Sequence, residues 1–416
     1  MSILIKNANI LDVEGNKVYI SDIYIKNNVI EKIQENLEID ADEVIDANGK
    51  VVMPGLINTH SHLGMSIFRT YGENLELMKW LTEYIFPKEE LLTDELVYNF
   101  TKLSLIEAIK TGTTCVADMY LREKQGLKAY LETKMRGAVG INFPNELNEG
   151  IMEELKENND MIYPYFIPHA PYTTPEERYR EYVELAKKYN AGIQTHLSET
   201  LDEVNIIKER YGKTSTQLLK DLGVLDVPVI LAHGIYLTDE DIEILKDIKG
   251  GISHNPISNC KLASGICDVR KLLDNGITVG LGTDGASSTT TLDMFEEMRT
   301  CAYMQKIKYM KSDIITSFEI LKMATINNAK ILEKENEIGS IKEGKKADLI
   351  IVDINKPHTT PAIDIPSILV YSTNGNDVET TIINGNIIMK DRKLIGINEN
   401  EVLEKCNYLT KEFYKD

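Results

Sequence analysis

The chain has 416 residues, 43% of them hydrophobic, and a formal net charge of −19 at pH 7. Its length and apolar content fit a globular protein with more than one domain and exclude wholesale disorder. The acidity disfavours nucleic-acid and anionic-membrane partners, which are bound through basic patches, and no apolar run approaches a membrane span.

The opening MSILIKNANILDVEGN lacks the charged-then-apolar layout of a signal peptide. Five scattered cysteines (Cys115, Cys260, Cys267, Cys301, Cys406) form no CxxC pair and read as reduced thiols, so a cytoplasmic location is expected.

Residues 1–50 carry short Ile- and Val-rich runs, ILIKNANIL, KVYISDIYIK and VIEKI, with turns at Gly15-Asn16 and Asn27-Asn28. The far end is similar: ADLIIVDI (347–354) and ETTIINGNIIM (379–389) predict strands, with a hairpin signal at Asn384-Gly385. Neither end is long enough for a core of its own. Residues 1–55 and 340–416 are therefore expected to combine into one small β-sandwich domain, flanking a catalytic unit over 56–339.

Inside those limits, short apolar strands alternate with helical patterns. The strand candidates are LINTHSH (56–62), TTCVADM (113–119), GAVGINF (137–143), YPYFIPHA (163–170), AGIQTHL (191–197), PVILAHG (228–234), GGISHNP (250–256) and TVGLGTDG (278–285). Their near-continuous apolar centres predict strands buried on both faces. DELVYNFTKLSLIEAIK (94–110) predicts a helix stopped by Gly112. Thr174-Pro175-Glu176-Glu177 offers an N-cap, a first-turn proline and a capping-box acid for a helix to about Tyr189, and Thr238-Asp239-Glu240-Asp241 opens another. Eight such strands with helices between them predict a parallel (β/α)8 barrel. The rival, an open doubly wound sheet, lacks support because no G-x-G-x-x-G or G-x-x-x-x-G-K-[ST] loop follows the first strands.

Six of the seven histidines fall at or near the C-terminal ends of these strands: His60, His62, His169, His196, His233 and His254. Asp284 ends the eighth strand, and only His358 lies elsewhere. Active sites of such barrels form at that rim. A His-x-His pair alone is as consistent with a polar strand end as with a metal site; the gathering of six at the rim favours the metal. The expected centre is one divalent ion held by His60, His62, His196 and Asp284, a donor set that suits zinc, with iron as the alternative. Such an ion lowers the pKa of a bound water from about 15.7 to about 7.

Glu199, three residues after His196 in HLSET, is the candidate proton shuttle, against its reading as an ordinary acid near a helix start. His233 is the candidate partner of the attacking hydroxide, against a satisfied strand-end histidine. His169 is open between substrate contact and structural hydrogen bond, and His254 is read as structural. The small-residue run Gly280-Leu281-Gly282-Thr283 before Asp284 would let a ligand or metal approach. No lysine lies between Lys156 and Lys187, which disfavours a two-metal centre bridged by a carbamylated lysine on the fourth strand.

PGLINTHSH, HLSET, LAHG, HNPISN and LGTDG, in this order, resemble the amidohydrolase superfamily, and GSIKEGKKADLIIVD resembles its return to the β domain. NTHSHLGMSIFRTYGENLELMKWLTEYIFPKEE is similar to the 5-methylthioadenosine/S-adenosylhomocysteine deaminase group. The resemblance spans essentially the whole chain. It implies hydrolytic deamination of an adenosine-type nucleoside, with Glu199 protonating the ring nitrogen, Asp284 accepting the proton of the water and His233 holding the hydroxide. It also implies substrate contacts from Glu89, which matches an acid for the ribose hydroxyls, from His169, and from Trp80 in the LMKW run. Without the resemblance, Glu89 reads as a solvated loop acid and Trp80 as packing.

One feature departs from the group. Ile141 and Asn142 stand where an arginine for an amino-acid carboxylate is usual, which favours adenosine, 5'-deoxyadenosine or methylthioadenosine over S-adenosylhomocysteine. Two alternatives remain: another hydrolase of this scaffold (a guanine-like deaminase, a cyclic amidase or a triazine hydrolase), and a non-catalytic nucleoside-binding protein, against which Glu199 argues. Homo-oligomerisation is left open.

Overall fold

The computed structural model describes residues 2–142, 149–158 and 160–415. Eight parallel strands run in sequence order around a barrel: Leu56–Ser61, Thr113–Asp118, Arg136–Ile141, Ile162–Phe166, Gly192–Leu197, Val229–His233, Gly250–His254 and Val279–Leu281. Nearly all their residues are buried, because side chains fill the interior and helices cover the outside. Residue 143, the last of the third strand candidate, lies outside the described residues.

Between the first and eighth strands, side chains replace the regular ladder among the described residues. Asn328 Nδ2 donates to the carbonyl oxygens of Ile57 and Leu281, the latter at 2.8 Å, and its Oδ1 accepts the Leu281 N–H at 3.0 Å. Asn58 Oδ1 accepts the Thr283 N–H at 3.1 Å, and the Asp284 N–H donates to the His60 carbonyl at 2.9 Å. The glycines before Asp284 serve this seam. A Cβ on Gly280 would stand 1.7 Å from Asn328 Oδ1, and one on Gly282 would stand 2.5 Å from Asn255 Oδ1 and 2.9 Å from the His60 Cβ. They make room for protein side chains, which corrects the expectation that they clear an approach for a ligand.

The terminal strands pair into one nine-stranded, mainly antiparallel sheet, with Val51–Pro54 between Ser2–Asp12 and Leu349–Val352. The hairpin of Lys17–Lys26 and Val29–Gln34 folds back until the Ala347 N–H reaches the Asn28 carbonyl at 2.9 Å. A core that includes Ile3, Ile5, Ile23, Leu349 and Ile382 is enclosed between. Asn384 and Gly385 both take positive φ, as a tight hairpin turn requires.

Helix Asp94–Lys110 starts at an N-cap, Thr93, whose side chain accepts the Leu96 N–H, and ends before Gly112 at φ +88°. Asp239–Leu245 has the reciprocal Thr238/Asp241 capping box. The box expected at Thr174 does not form: helix Glu176–Tyr189 begins after Pro175, and the Thr174 hydroxyl turns to Tyr179. Helix Glu399–Phe413, which the sequence groups with the β domain, instead lies on barrel helix Asp94–Lys110, tied by Lys110 to Glu399 at 2.6 Å. No helix of the described residues is long and apolar enough to cross a membrane.

Arg136, wholly buried at the start of the third barrel strand, links barrel to sheet. Its Nε donates to Asp348 Oδ2 at 2.5 Å, and its Nη1 to the Asp160 carbonyl at 2.5 Å and the Tyr163 hydroxyl at 3.1 Å. Arg136→Leu leaves the Asp348 carboxylate buried without its cation. It should lower unfolding free energy by about 3–5 kcal/mol in urea titration; an unchanged midpoint would show the pair to be dispensable.

Candidate active site

His60 is the fifth residue of the first strand and His62 follows that strand's end. Alternation along an extended chain sends both to one face. His62 Nε2 lies 3.2 Å and His60 Nε2 3.6 Å from Asp284 Oδ1. His196, from the fifth strand, brings its Nε2 to 3.3 Å from His62 Nε2. The donor atoms of His60, His62 and Asp284 all lie within 4.8 Å of one another, as do those of His60, His196 and His233.

The outer nitrogens of these rings are already engaged. His62 Nδ1 lies 2.5 Å from the Met119 carbonyl, His196 Nδ1 2.7 Å from the His169 carbonyl and His233 Nδ1 2.8 Å from Asn259 Oδ1. Each acceptor holds the proton on Nδ1, so each Nε2 presents a lone pair inward. The Gln194 side-chain amide is 2.7 Å from His60 Nδ1, and its Oε1 has no other partner. With that oxygen turned to the ring, His60 takes the same tautomer.

The Nε2 atoms of His60 and His233 are buried without a hydrogen-bond partner. Burial, with neighbouring imidazoles adding to it, holds His60 and His196 well below the ordinary histidine pKa and so neutral. Lone pairs and a carboxylate facing one another in a dry space fit a cation. Two nitrogens about 2.0–2.1 Å from one tetrahedral ion stand about 3.3 Å apart, which matches the His62–His196 spacing.

Backbone strain marks the same places. Ser198, His233 and Asp284 occupy the left-handed region, with φ of +48°, +75° and +66°. Asp284 is fixed by the Ser258 hydroxyl at 2.6 Å on Oδ2 and the Gly285 N–H at 2.8 Å on Oδ1. Glu199, buried beyond the fifth strand, accepts from the Ser264 hydroxyl at 3.0 Å and stands 3.6 Å from His233 Nε2. Burial raises its pKa, with the His233 side chain opposing. Glu203 holds this turn, accepting the N–H groups of Ser198 (2.9 Å) and Glu199 (2.8 Å).

Residues 51–388 match the amidohydrolase family. The chain belongs to that family.

Among its relatives, the 5-methylthioadenosine/S-adenosylhomocysteine deaminase of Caldanaerobacter subterraneus subsp. tengcongensis is 43% identical, covering 97% of this chain and 96% of the relative. The 5'-deoxyadenosine deaminase of Methanosarcina acetivorans is 42% identical, covering 99% and 98%. The solved structure of an adenosine deaminase from Xanthomonas campestris with bound zinc superposes with a TM-score of 0.93 at 28% identity, covering 99% of this chain and 98% of that one.

In this amidohydrolase the donor cluster floors a cavity of about 810 Å³, its open mouth included. Leu77, Trp80, Leu81, Ile85 and Phe86 form an apolar wall; Glu89, Asn142, His169 and Tyr172 also line it. Trp80 donates its indole N–H to the Tyr71 carbonyl at 3.2 Å. Glu89 stands beside the Tyr120 hydroxyl, and burial raises its pKa. His169 bonds Thr173 Oγ1 through Nδ1 at 2.7 Å, and burial pushes its pKa down to about 4. Every candidate residue from the sequence thus reaches this cavity or its floor, except that His254 lies behind it, with Nδ1 3.4 Å from Asn259 Nδ2.

The sequence reading missed the groups that orient the donors: Gln194, Ser258, Asn259, Ser264 and Glu203. Three carried a signal. Gln194 precedes His196 by two, on the same strand face, and Ser258-Asn259 lie within HNPISN.

His60→Ala should abolish binding of a divalent ion by the purified protein, read by elemental analysis; full metal content in the variant would remove His60 from the ligand set. Burial pushes the His254 pKa from 6.5 down to about 3. The unfolded chain therefore takes up a proton that the native state refuses, and stability falls as pH drops through that window. His254→Asn should flatten this dependence by a few kcal/mol, measured by urea unfolding across the same range.

Proposed function

We propose that the protein is a mononuclear deaminase that hydrolyses the 6-amino group of an adenosine-type nucleoside, giving the inosine analogue and ammonia. The observation that carries this reading is the joining of a Nε2/carboxylate donor cluster to a buried Glu199, whose pKa burial raises, on the floor of a pocket with one apolar wall. His60, His62, His196 and Asp284 would hold the ion; their nitrogen and oxygen donors suit zinc, with iron as the alternative. When bound, a divalent ion supplies Lewis acidity and an ionised water near neutral pH.

The remaining steps belong to the chain. Glu199, its pKa raised by burial, donates a proton from its carboxyl to the purine nitrogen beside the attacked carbon. Asp284 Oδ1 accepts one proton of the attacking water and returns it to the departing amine; as the carbonyl forms, the remaining hydroxyl proton passes to the Glu199 carboxylate and restores its acid form. His233, its Nδ1 proton held by Asn259, offers Nε2 as acceptor to the same water. The apolar wall stacks on the base, and Glu89 receives the ribose hydroxyls. The five free cysteines suit a reducing cytoplasm.

At the 5' end, Asn142 accepts the Tyr182 hydroxyl at 3.0 Å, and among the described lining residues there is no lysine or arginine. A carboxylate there would be desolvated without a counter-charge beside three lining acids, Glu89, Glu199 and Asp284. Small uncharged 5' groups are therefore the better substrates. Ammonia release across a panel of 5'-modified adenosines should give kcat/KM for methylthioadenosine, adenosine or 5'-deoxyadenosine at least about tenfold above S-adenosylhomocysteine, while Glu199→Gln retains the metal and loses about 10²–10⁴ in turnover. Absence of ammonia from every member with metal-replete protein would end the reading.

A further inference from the structure

The substrate wall is built from pieces that cannot hold their own shape. After the helical turn Leu63–Phe68, the chain has positive φ at Thr70, Gly72 and Asn74, then runs through Leu77–Lys79, a π-helical turn Trp80–Ile85, and Phe86–Glu89. Helical segments this short are not stable alone, so tertiary contacts must set their position. Barrel helix Asp94–Lys110 supplies some of them, through Leu96, Val97 and Phe100, and the far end of the chain supplies others. Leu77, Trp80, Leu81 and Ile85 belong to a second apolar cluster, apart from the barrel core, that also contains Val402, Cys406 and Leu409 of helix Glu399–Phe413.

Phe413 and Tyr414 complete this support. Phe413 packs on Phe68 with ring centres 6.0 Å apart, and Tyr414 on Tyr71 at 5.4 Å. The Tyr414 hydroxyl donates to the Ile67 carbonyl at 3.2 Å. Lys88 Nζ lies 5.4 Å from the centre of each of the two rings. Both wall residues assigned to the nucleoside are then one step from this pair: Trp80 through its hydrogen bond to the Tyr71 carbonyl, and Glu89 through its neighbour Lys88.

We propose that Phe413 and Tyr414 are positioning residues for substrate binding, fixing the wall so that Trp80 and Glu89 face the nucleoside, without touching the reacting atoms. The pair rests on the deaminase reading for its substrate but not for its structural effect. Support present equally in ground and transition states affects KM and leaves kcat in place.

The test uses the full-length, metal-replete enzyme with Tyr414→Ala, Phe413→Ala, the double variant and Tyr414→Phe. Trp80 is the only tryptophan of the chain, so intrinsic fluorescence reports the wall directly. The double variant should raise KM for adenosine about tenfold, hold kcat within about threefold, keep its metal content, and red-shift Trp80 emission. Tyr414→Phe keeps the ring and should restore most of the affinity. Should the double variant not fold, Tyr414→Ala and Lys88→Met carry the same measurements. Unchanged KM together with unshifted Trp80 emission would overturn the proposal, as would lost kcat at constant KM. Wild-type enzyme that turns over no nucleoside would defeat the deaminase reading, while the fluorescence comparison would still decide whether the pair sets the wall.

Discussion

Three imidazole Nε2 lone pairs converge on one buried space at the barrel mouth, and the protein has already assigned the other nitrogen of each ring. Met119, His169 and Asn259 hold the Nδ1 protons of His62, His196 and His233. Rotating any of these rings to relieve the crowding breaks its Nδ1 hydrogen bond. Facing lone pairs 3.3 Å apart beside an ionised carboxylate repel in a low-dielectric setting, and a divalent ion would add an attraction to each donor that outweighs this repulsion. Much of the rim is arranged to keep these donors from relaxing away.

The seam of the barrel is part of that arrangement. His60 and Asp284 lie on opposite sides of the join between the first and eighth strands, and the Asp284 N–H bonds the His60 carbonyl. Their separation is thus set by a backbone hydrogen bond together with Asn58 and Asn328, whose side chains do what a ladder does elsewhere. The left-handed backbone at Asp284 then turns the carboxylate inward. Closing the barrel brings His60 and Asp284 together, so a sequence change that loosens Asn328 acts on the site although it touches no donor.

The donor residues were legible in the sequence because strand ends are easily recognised and histidine is scarce. Seven in the chain, six of them at strand ends, is a pattern that packing alone does not produce. The groups that orient them were harder to see. Ser264 and Glu203 are common polar types: Ser264 matters through a contact with Glu199 made across the rim, and Glu203 through a turn whose backbone conformation no residue pattern announces. The glycines before Asp284 were noticed for the wrong reason, since the neighbours they admit are distant in the chain: Asn328 stands forty-eight residues beyond Gly280, and Asn255 twenty-seven before Gly282. The docking of helix Glu399–Phe413 on the barrel was likewise hidden. An amphipathic helix shows that it has a partner face, but not which partner.

Chemistry and selectivity rest on different parts of this molecule. The donors, Glu199 and His233 sit at strand ends anchored in the barrel core, where a displacement is resisted by close packing in every direction. The wall proposed to meet the base and sugar belongs to the second cluster, bounded by a helix from the far end of the chain. Changes in that cluster can move the wall by fractions of an ångström while the donor geometry stays fixed. On one unaltered floor, a relative can therefore shift its preference among 5' substituents through residues such as Asn142 and those behind Trp80. That separation offers a physical reason why relatives above 40% identity carry different nucleoside names over nearly the whole chain.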